Sequence, residues 1–172
     1  MVISGRLIVH APVQHTNLAV SDGGPIYVLG AQAAGQSEMA GNFVGHARHK
    51  CSFLYHDEGS SRWWTHHNVV DMPASDMPPI CHGDWACNEM PGHFDFIAAW
   101  ASSERDIVIE NVWNRGLNQS NVFHGNNITA RNLTHLRDGE EWPAGAQAVV
   151  DAAGARFNWK ASGCGHGAGH SC

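Results

Sequence analysis

The sequence predicts an all-β protein of stacked parallel coils, on three observations. The first is a recurring landmark: an Asn or its stand-in, followed by aliphatic or aromatic residues. It occurs at Gly5-Arg6-Leu7-Ile8-Val9, Gly41-Asn42-Phe43-Val44, His67-Asn68-Val69-Val70, Glu110-Asn111-Val112-Trp113 and Arg131-Asn132-Leu133-Thr134. The steps between landmarks are 36, 26, 43 and 21 residues, so the shorter ones match one turn of a β-solenoid and the longer ones imply turns with insertions. The second is composition: 19 glycines with only 15% charged residues suit many short strands and tight corners and leave little room for long helices. The third is that each landmark after the first follows another β-like segment: Ile26 to Leu29, Phe53 to His56, Phe94 to Ala99 and Val122 to His124.

An Asn at a fixed place in each coil has a physical purpose. Successive strands lie ~4.8 Å apart, and inward amides at that spacing hydrogen-bond up and down a ladder. This satisfies polar atoms that would otherwise be buried alone. Between the paired strands lie turn-formers such as Gly30, Gly59-Ser60-Ser61, Ser102-Ser103 and Asn126-Asn127, giving an expected two strands per coil. The reading places coils over residues 1–140, with 72–92 as an inserted loop because Pro73, Pro78, Pro79 and Pro91 cannot continue a ladder. Pro143 then opens an Ala/Val stretch that stops at Gly154, which predicts a short cap helix within 141–156 that covers the end of the stack. No such cover precedes residue 5, the pattern expected of the C-terminal part of a longer solenoid whose N-terminal coils are missing, or of a degenerate copy of one. Residues 157–172 are Gly/His-rich and read as a disordered tail.

The 172 residues fit one domain with a continuous core. A net charge of −6 without a basic cluster argues against a nucleic-acid partner. No apolar run approaches the ~18 residues needed to cross a bilayer, so no membrane partner is expected. The first residues lack the charged-then-apolar layout of a secretory leader; an extracellular or periplasmic location follows only if the chain is part of a longer secreted protein. Five cysteines imply no complete disulfide framework. Cys51 reads as a small core residue, while Cys81 and Cys87 could close a loop in an oxidising compartment or equally stay reduced. Among thirteen histidines no pair outside the tail has a zinc spacing, so neither metal nor cofactor is expected. In the tail, Cys164, His166, His170 and Cys172 are spaced like zinc ligands but sit in a low-complexity segment.

Two segments carry a family resemblance. Val20-Ser21-Asp22-Gly23-Gly24-Pro25-Ile26-Tyr27-Val28-Leu29-Gly30 and Tyr55-His56-Asp57-Glu58-Gly59-Ser60-Ser61 resemble the right-handed parallel β-helix proteins of the pectate-lyase-like superfamily, and in particular the glycoside hydrolases of family 141. The Trp142-Pro143 to Ala153-Gly154 stretch looks like that group's C-terminal end, so the resemblance spans roughly residues 5 to 155. It implies about five right-handed coils and acidic catalysts within the two motifs. The chain departs from the pattern at Arg6, Pro25, His56 and the tail.

Glycosidic hydrolysis needs one carboxylic acid to protonate the leaving oxygen and one carboxylate as nucleophile or base. Asp22 and Asp57 are the expected pair, with Glu58 as the alternate second carboxylate. If Tyr27 and Tyr55 stack as equivalents, Asp22 and Asp57 meet only if Gly23-Gly24 turns the chain back. Otherwise Asp22 caps a turn and Asp57 satisfies corner amides. Sugar rings stack on aromatic faces, which makes Tyr27, Tyr55, Trp63, Trp64 and Trp100 candidates for substrate contact, with Trp85 from the insertion. His56, beside Asp57, is a candidate acid/base helper. The sequence thus predicts a carbohydrate-active protein, a hydrolase of a polysaccharide or oligosaccharide. The alternatives are a non-catalytic or truncated glycan-binding segment and a lyase or epimerase, which the scarcity of Lys disfavours.

Overall fold

The computed structural model describes residues 7–9, 12–14, 24–31, 35–45, 52–72, 95–99, 102–116 and 122–153. These form parallel β-sheets with one short helix. The strands are β1 (Leu7–Val9), β2 (Pro12–Gln14), β3 (Ile26–Val28), β4 (Ser37–Ala40), β5 (Phe43–Gly45), β6 (Ser52–His56), β7 (Trp63–His66), β8 (Val69–Met72), β9 (Asp95–Ala99), β10 (Arg105–Gly116), β11 (Val122–Phe123) and β12 (Asn126–Leu136). The helix α1 spans Ala144–Ala152. Residues 73–92 of the expected insertion, the Gly/His tail, Cys51, Cys81, Cys87, Asp22, Trp85 and Trp100 lie outside the described residues, while Met72 ends β8.

Every pairing is parallel, and the strands stack in three columns. One runs β1-β4-β7 into the first half of β10, a second runs β2-β5-β8 into its second half, and a third runs β3-β6-β9-β11. β12 pairs along the whole of β10 and so extends the first two columns together. Two strands per coil were expected from sequence; the described residues form three columns of strands, because the Ser37–Ala40 and Trp63–His66 segments also form strands. The strands anticipated around Ile26, Phe53, Ala99 and Val122 make up the third column.

Sharp corners separate the first two columns. Gly41, His67, Asn111 and Asn132 have φ values of 67°, 50°, 52° and 53°, and the registers Ala40↔His66, Glu110↔His66 and Glu110↔Arg131 put all four at one position. Left-handed backbone is free for Gly and tolerable for Asn and His, which explains the residue choice. On the other side of the first column, Arg62, Asp106 and Asn127 repeat the device with φ values of 60°, 55° and 54°.

This register corrects the expected ladder. Asn42 and Asn68 are fully buried and aligned: Asn42 Nδ2 donates to Asn68 Oδ1 at 2.9 Å, the Asn42 backbone N–H donates to the same oxygen at 3.0 Å, and Asn68 Nδ2 donates to the Met39 carbonyl at 2.8 Å. The next residues in that column are Val112 and Leu133. Asn111 and Asn132 sit one position earlier, at the corner, where Asn132 is exposed and donates to Asn111 Oδ1 at 3.1 Å. Asn132 therefore faces outward rather than inward. The first landmark is also offset: Leu7–Val9 aligns with β4, and it is Pro12–Gln14 that aligns with Phe43–Gly45.

The interior is filled by alternate side chains from all three columns, including Ile26, Met39, Val44, Leu54, Trp63, Val70, Ile107, Ile109 and Val112. Each such fully buried aliphatic side chain contributes about 1.5–3 kcal/mol relative to exposure. A second apolar cluster lies on the opposite face of the second column, where Phe43, Val69 and Trp113 stand in register and pack against Ala146, Val149 and Ala153 of the α1 region. Gly145 sits so close to Trp113 that a Cβ there would come within 3.0 Å of the indole. The helix thus lies over this row rather than over the end of the stack. The physical reason is the apolar row itself, since the residues of β12 beyond it are largely exposed and polar. Pro143 stands at the N-cap as expected. A clamp holds the approach to the helix: Arg115 makes paired hydrogen bonds to Asp71 at 2.9 and 2.7 Å, donates to the Glu140 carbonyl at 2.7 Å, and lies 4.3 Å from the centroid of Trp142.

Candidate functional site

The motif Tyr55-His56-Asp57-Glu58-Gly59-Ser60 forms the end of β6 and a corner. The Asp57 N–H donates to the Val28 carbonyl at 2.8 Å, Gly30 N–H to Glu58 O at 3.0 Å, and Ser60 N–H closes the turn on Asp57 O at 2.9 Å. Ser60 Oγ also donates to Val28 O at 3.0 Å. Tyr27 and Tyr55 do pair in register, with ring centroids 5.3 Å apart in an edge-to-face arrangement. The Tyr27 hydroxyl donates to the Asp57 carboxylate, which is nearly buried, whereas Glu58 is exposed beside it. Tyr27 itself is half exposed and Tyr55 buried.

His56 and Trp63 do not reach this corner's surface. Both are fully buried, with ring centroids 5.8 Å apart, and His56 Nε2 is 2.9 Å from Thr65 Oγ1. Burial pushes the His56 pKa down to about 3, so the imidazole is neutral at ordinary pH. A group sealed in the core and lacking solvent contact is a packing residue, not an acid/base helper, and Trp63 is likewise core. The alternation of β7 explains this: Trp63 and Thr65 point inward, Trp64 and His66 outward.

The outward residues of the first column form a polar and aromatic face that the sequence reading largely missed. Trp64 lies against His66, with ring centroids 3.8 Å apart and 30° between planes. Its indole N–H donates to Glu110 Oε1 at 2.8 Å, and Arg131 holds the other Glu110 oxygen at 2.6 Å through Nε. His66 Nε2 contacts Glu38 Oε1 at 2.9 Å, and His66 Nδ1 lies 2.7 Å from His67 Nδ1. The indole N–H and then the guanidinium hold the Glu110 carboxyl below the usual carboxylate range. The chain of contacts crosses β4, β7, β10 and β12. Its most open charges are Arg131 and Glu38, with side chains 62% and 37% exposed. Only Trp64 of this face was anticipated. The missed signal is that Glu38, Trp64, His66 and Glu110 occupy outward positions at matching registers, which requires knowing that Ser37–Ala40 is a strand.

The face offers hydrogen-bond acceptors, a guanidinium and an aromatic surface on one side of the sheet. Among the described residues no group of three or more His, Cys, Asp or Glu side chains is arranged to hold a metal, and no helix is long and apolar enough to cross a membrane. Comparison with protein-family models, with curated proteins and with solved structures finds no match for this chain.

Proposed function

We propose that the chain is a right-handed parallel β-helix of about five coils that binds a polysaccharide or oligosaccharide along the outer face of its first strand column. The three parallel columns and the recurring left-handed corner at Gly41, His67, Asn111 and Asn132 support the coiled reading, and parallel crossovers are right-handed almost without exception. The observation that carries the binding reading is Trp64: a half-buried indole on the sheet surface, its N–H fixed by Glu110 and its ring backed by His66. A rigid aromatic edge flanked by Glu38 and Arg131 suits the mixed apolar and hydroxyl surface of a sugar ring, and successive strands ~4.8 Å apart within the column give an extended glycan repeated contacts. Removing such an anchor costs 2 kcal/mol or more in well-built sites, roughly thirtyfold in affinity. Screening the purified protein on a glycan array, then titrating the best ligand into wild type and Trp64→Ala, tests this. Binding that survives Trp64→Ala unchanged would remove the face from consideration.

Hydrolysis is the second reading, favoured by the Tyr27–Asp57 contact, which fixes a nearly buried carboxylate next in sequence to the exposed Glu58. On it, Asp57 with Asp22 or Glu58 supplies the acid and base. Reducing-sugar release that is lost in Asp57→Asn with an unchanged circular-dichroism spectrum would make this the correct reading.

A further inference from the structure

We propose that His66 and His67 form an exposed two-nitrogen site for a divalent transition metal with tetragonal preference, such as Cu(II) or Ni(II). Adjacent residues of a strand normally face opposite sides. Here φ of +50° at His67 turns the second ring back, so both Nδ1 atoms converge at 2.7 Å. Convergent imidazoles on a left-handed non-Gly residue are an arrangement the fold does not need, because Gly41, Asn111 and Asn132 fill the same corner without it.

The tautomers suit metal binding. A carboxylate only accepts, so the 2.9 Å contact with Glu38 puts the His66 proton on Nε2 and leaves the Nδ1 lone pair to accept from His67. That is the orienting pattern of a carboxylate behind a metal-bound histidine. His67 then donates its Nδ1 proton to His66; on metal binding it would switch to the Nε2–H tautomer, leaving two Nδ1 lone pairs facing the ion with no net proton lost. The bite distance selects the metal. Two nitrogens about 2.0–2.1 Å from an ion at a right angle lie about 2.8–3.0 Å apart, whereas a tetrahedral ion such as Zn(II) needs about 3.3–3.4 Å. In the metal-free, hydrogen-bonded pair the two atoms are 2.7 Å apart, so the right-angled case requires the smaller opening on binding. With two protein ligands, the remaining positions are open to water or another ligand. The site does not depend on glycan binding.

The test is Cu(II) titration of the full chain at neutral pH, followed by electron paramagnetic resonance and calorimetry, in wild type, His66→Gln, His67→Asn and Glu38→Gln. Asn is chosen at His67 because it occupies the equivalent left-handed position at Asn111 and Asn132. The Gly/His tail is identical in all four proteins, so its contribution cancels in the comparison. One equivalent of copper with two equatorial nitrogens should be lost in both His variants. Glu38→Gln should keep that equivalent but weaken it roughly tenfold or more. Equal stoichiometry and spectra in wild type and folded His67→Asn would overturn the proposal, as would Ni(II) and Cu(II) binding no tighter than Zn(II) at this equivalent.

Discussion

His56 makes stability depend on acidity in a calculable way. Its ring is sealed beside Trp63, Nε2 contacts Thr65 Oγ1 at 2.9 Å, and Nδ1 has no hydrogen-bond partner among the described residues. Burial lowers its pKa from 6.5 to about 3, so below 6.5 the unfolded chain takes up a proton that the folded chain refuses. Stability from this group is complete above pH 6.5 and is lost as pH falls towards 3, at a limiting slope of about 1.4 kcal/mol per pH unit. Between pH 7.5 and 5 the loss is about 2 kcal/mol, or about 1 M in urea midpoint at an m-value of about 2 kcal/mol/M. Gln places an amide where Nε2 stands and does not titrate. Urea unfolding followed by tryptophan fluorescence at several pH values should therefore show a midpoint shift about 1 M smaller in His56→Gln than in wild type. Every other side chain is common to both proteins, so its contribution drops out of the difference. Parallel pH profiles for the two proteins would refute the reasoning, whatever the absolute stability of the variant.

Three further outcomes follow from the geometry. Asn68→Ala strips hydrogen bonds from the buried Asn42 amide, the Asn42 N–H and the Met39 carbonyl, and should cost about 3–4 kcal/mol, against less than about 1 kcal/mol for the exposed rung in Asn132→Gly; chemical denaturation compares them. Arg115→Ala removes the bond to Asp71, the Glu140 carbonyl contact and the Trp142 stack together, and should cost about 2 kcal/mol while making the 137–143 segment the first site of limited proteolysis. Gly145→Leu should unseat α1 from Trp113 by overpacking, costing about 1–3 kcal/mol and shifting Trp fluorescence to the red.

The strand content of the chain was legible because alternation and turn residues are local signals. Ile26, Phe53 and Val122 marked the third column for that reason. Ser37-Glu38-Met39-Ala40 and Trp63-Trp64-Thr65-His66 were not marked as a column of their own, since neither stretch is conspicuously apolar and each is identified mainly by its partner. The Tyr27↔Tyr55 register entered the sequence reading only as a condition, which the structure meets, while the burial of His56 was not foreseen, because adjacency to Asp57 says nothing about which side of the strand a ring leaves from. The same ambiguity hid the His66–His67 pair. Read as strand neighbours they diverge, and only the left-handed corner brings them together.

The Asn landmark shows where pattern and physics part. One letter followed by apolar residues serves two purposes in this chain. At Asn42 and Asn68 the amide is buried and needed for its hydrogen bonds, with Gly41 and His67 taking the left-handed angle just before it. At Asn111 and Asn132 the Asn takes that angle itself, and the following Val112 and Leu133 fill the column that the buried amides occupied. A shift of one residue thus exchanges a polar rung for an apolar one while the corner stays fixed. The corner angle, not the amide, is therefore what these four described corners share. It follows that exchanging His67 for Asn or Gly should leave the fold intact, whereas a β-branched residue there, which resists positive φ, should cost more than about 1 kcal/mol. Equal thermal stability of His67→Val and His67→Asn would show that the corner is held by its neighbours and not by the conformational preference of the residue within it.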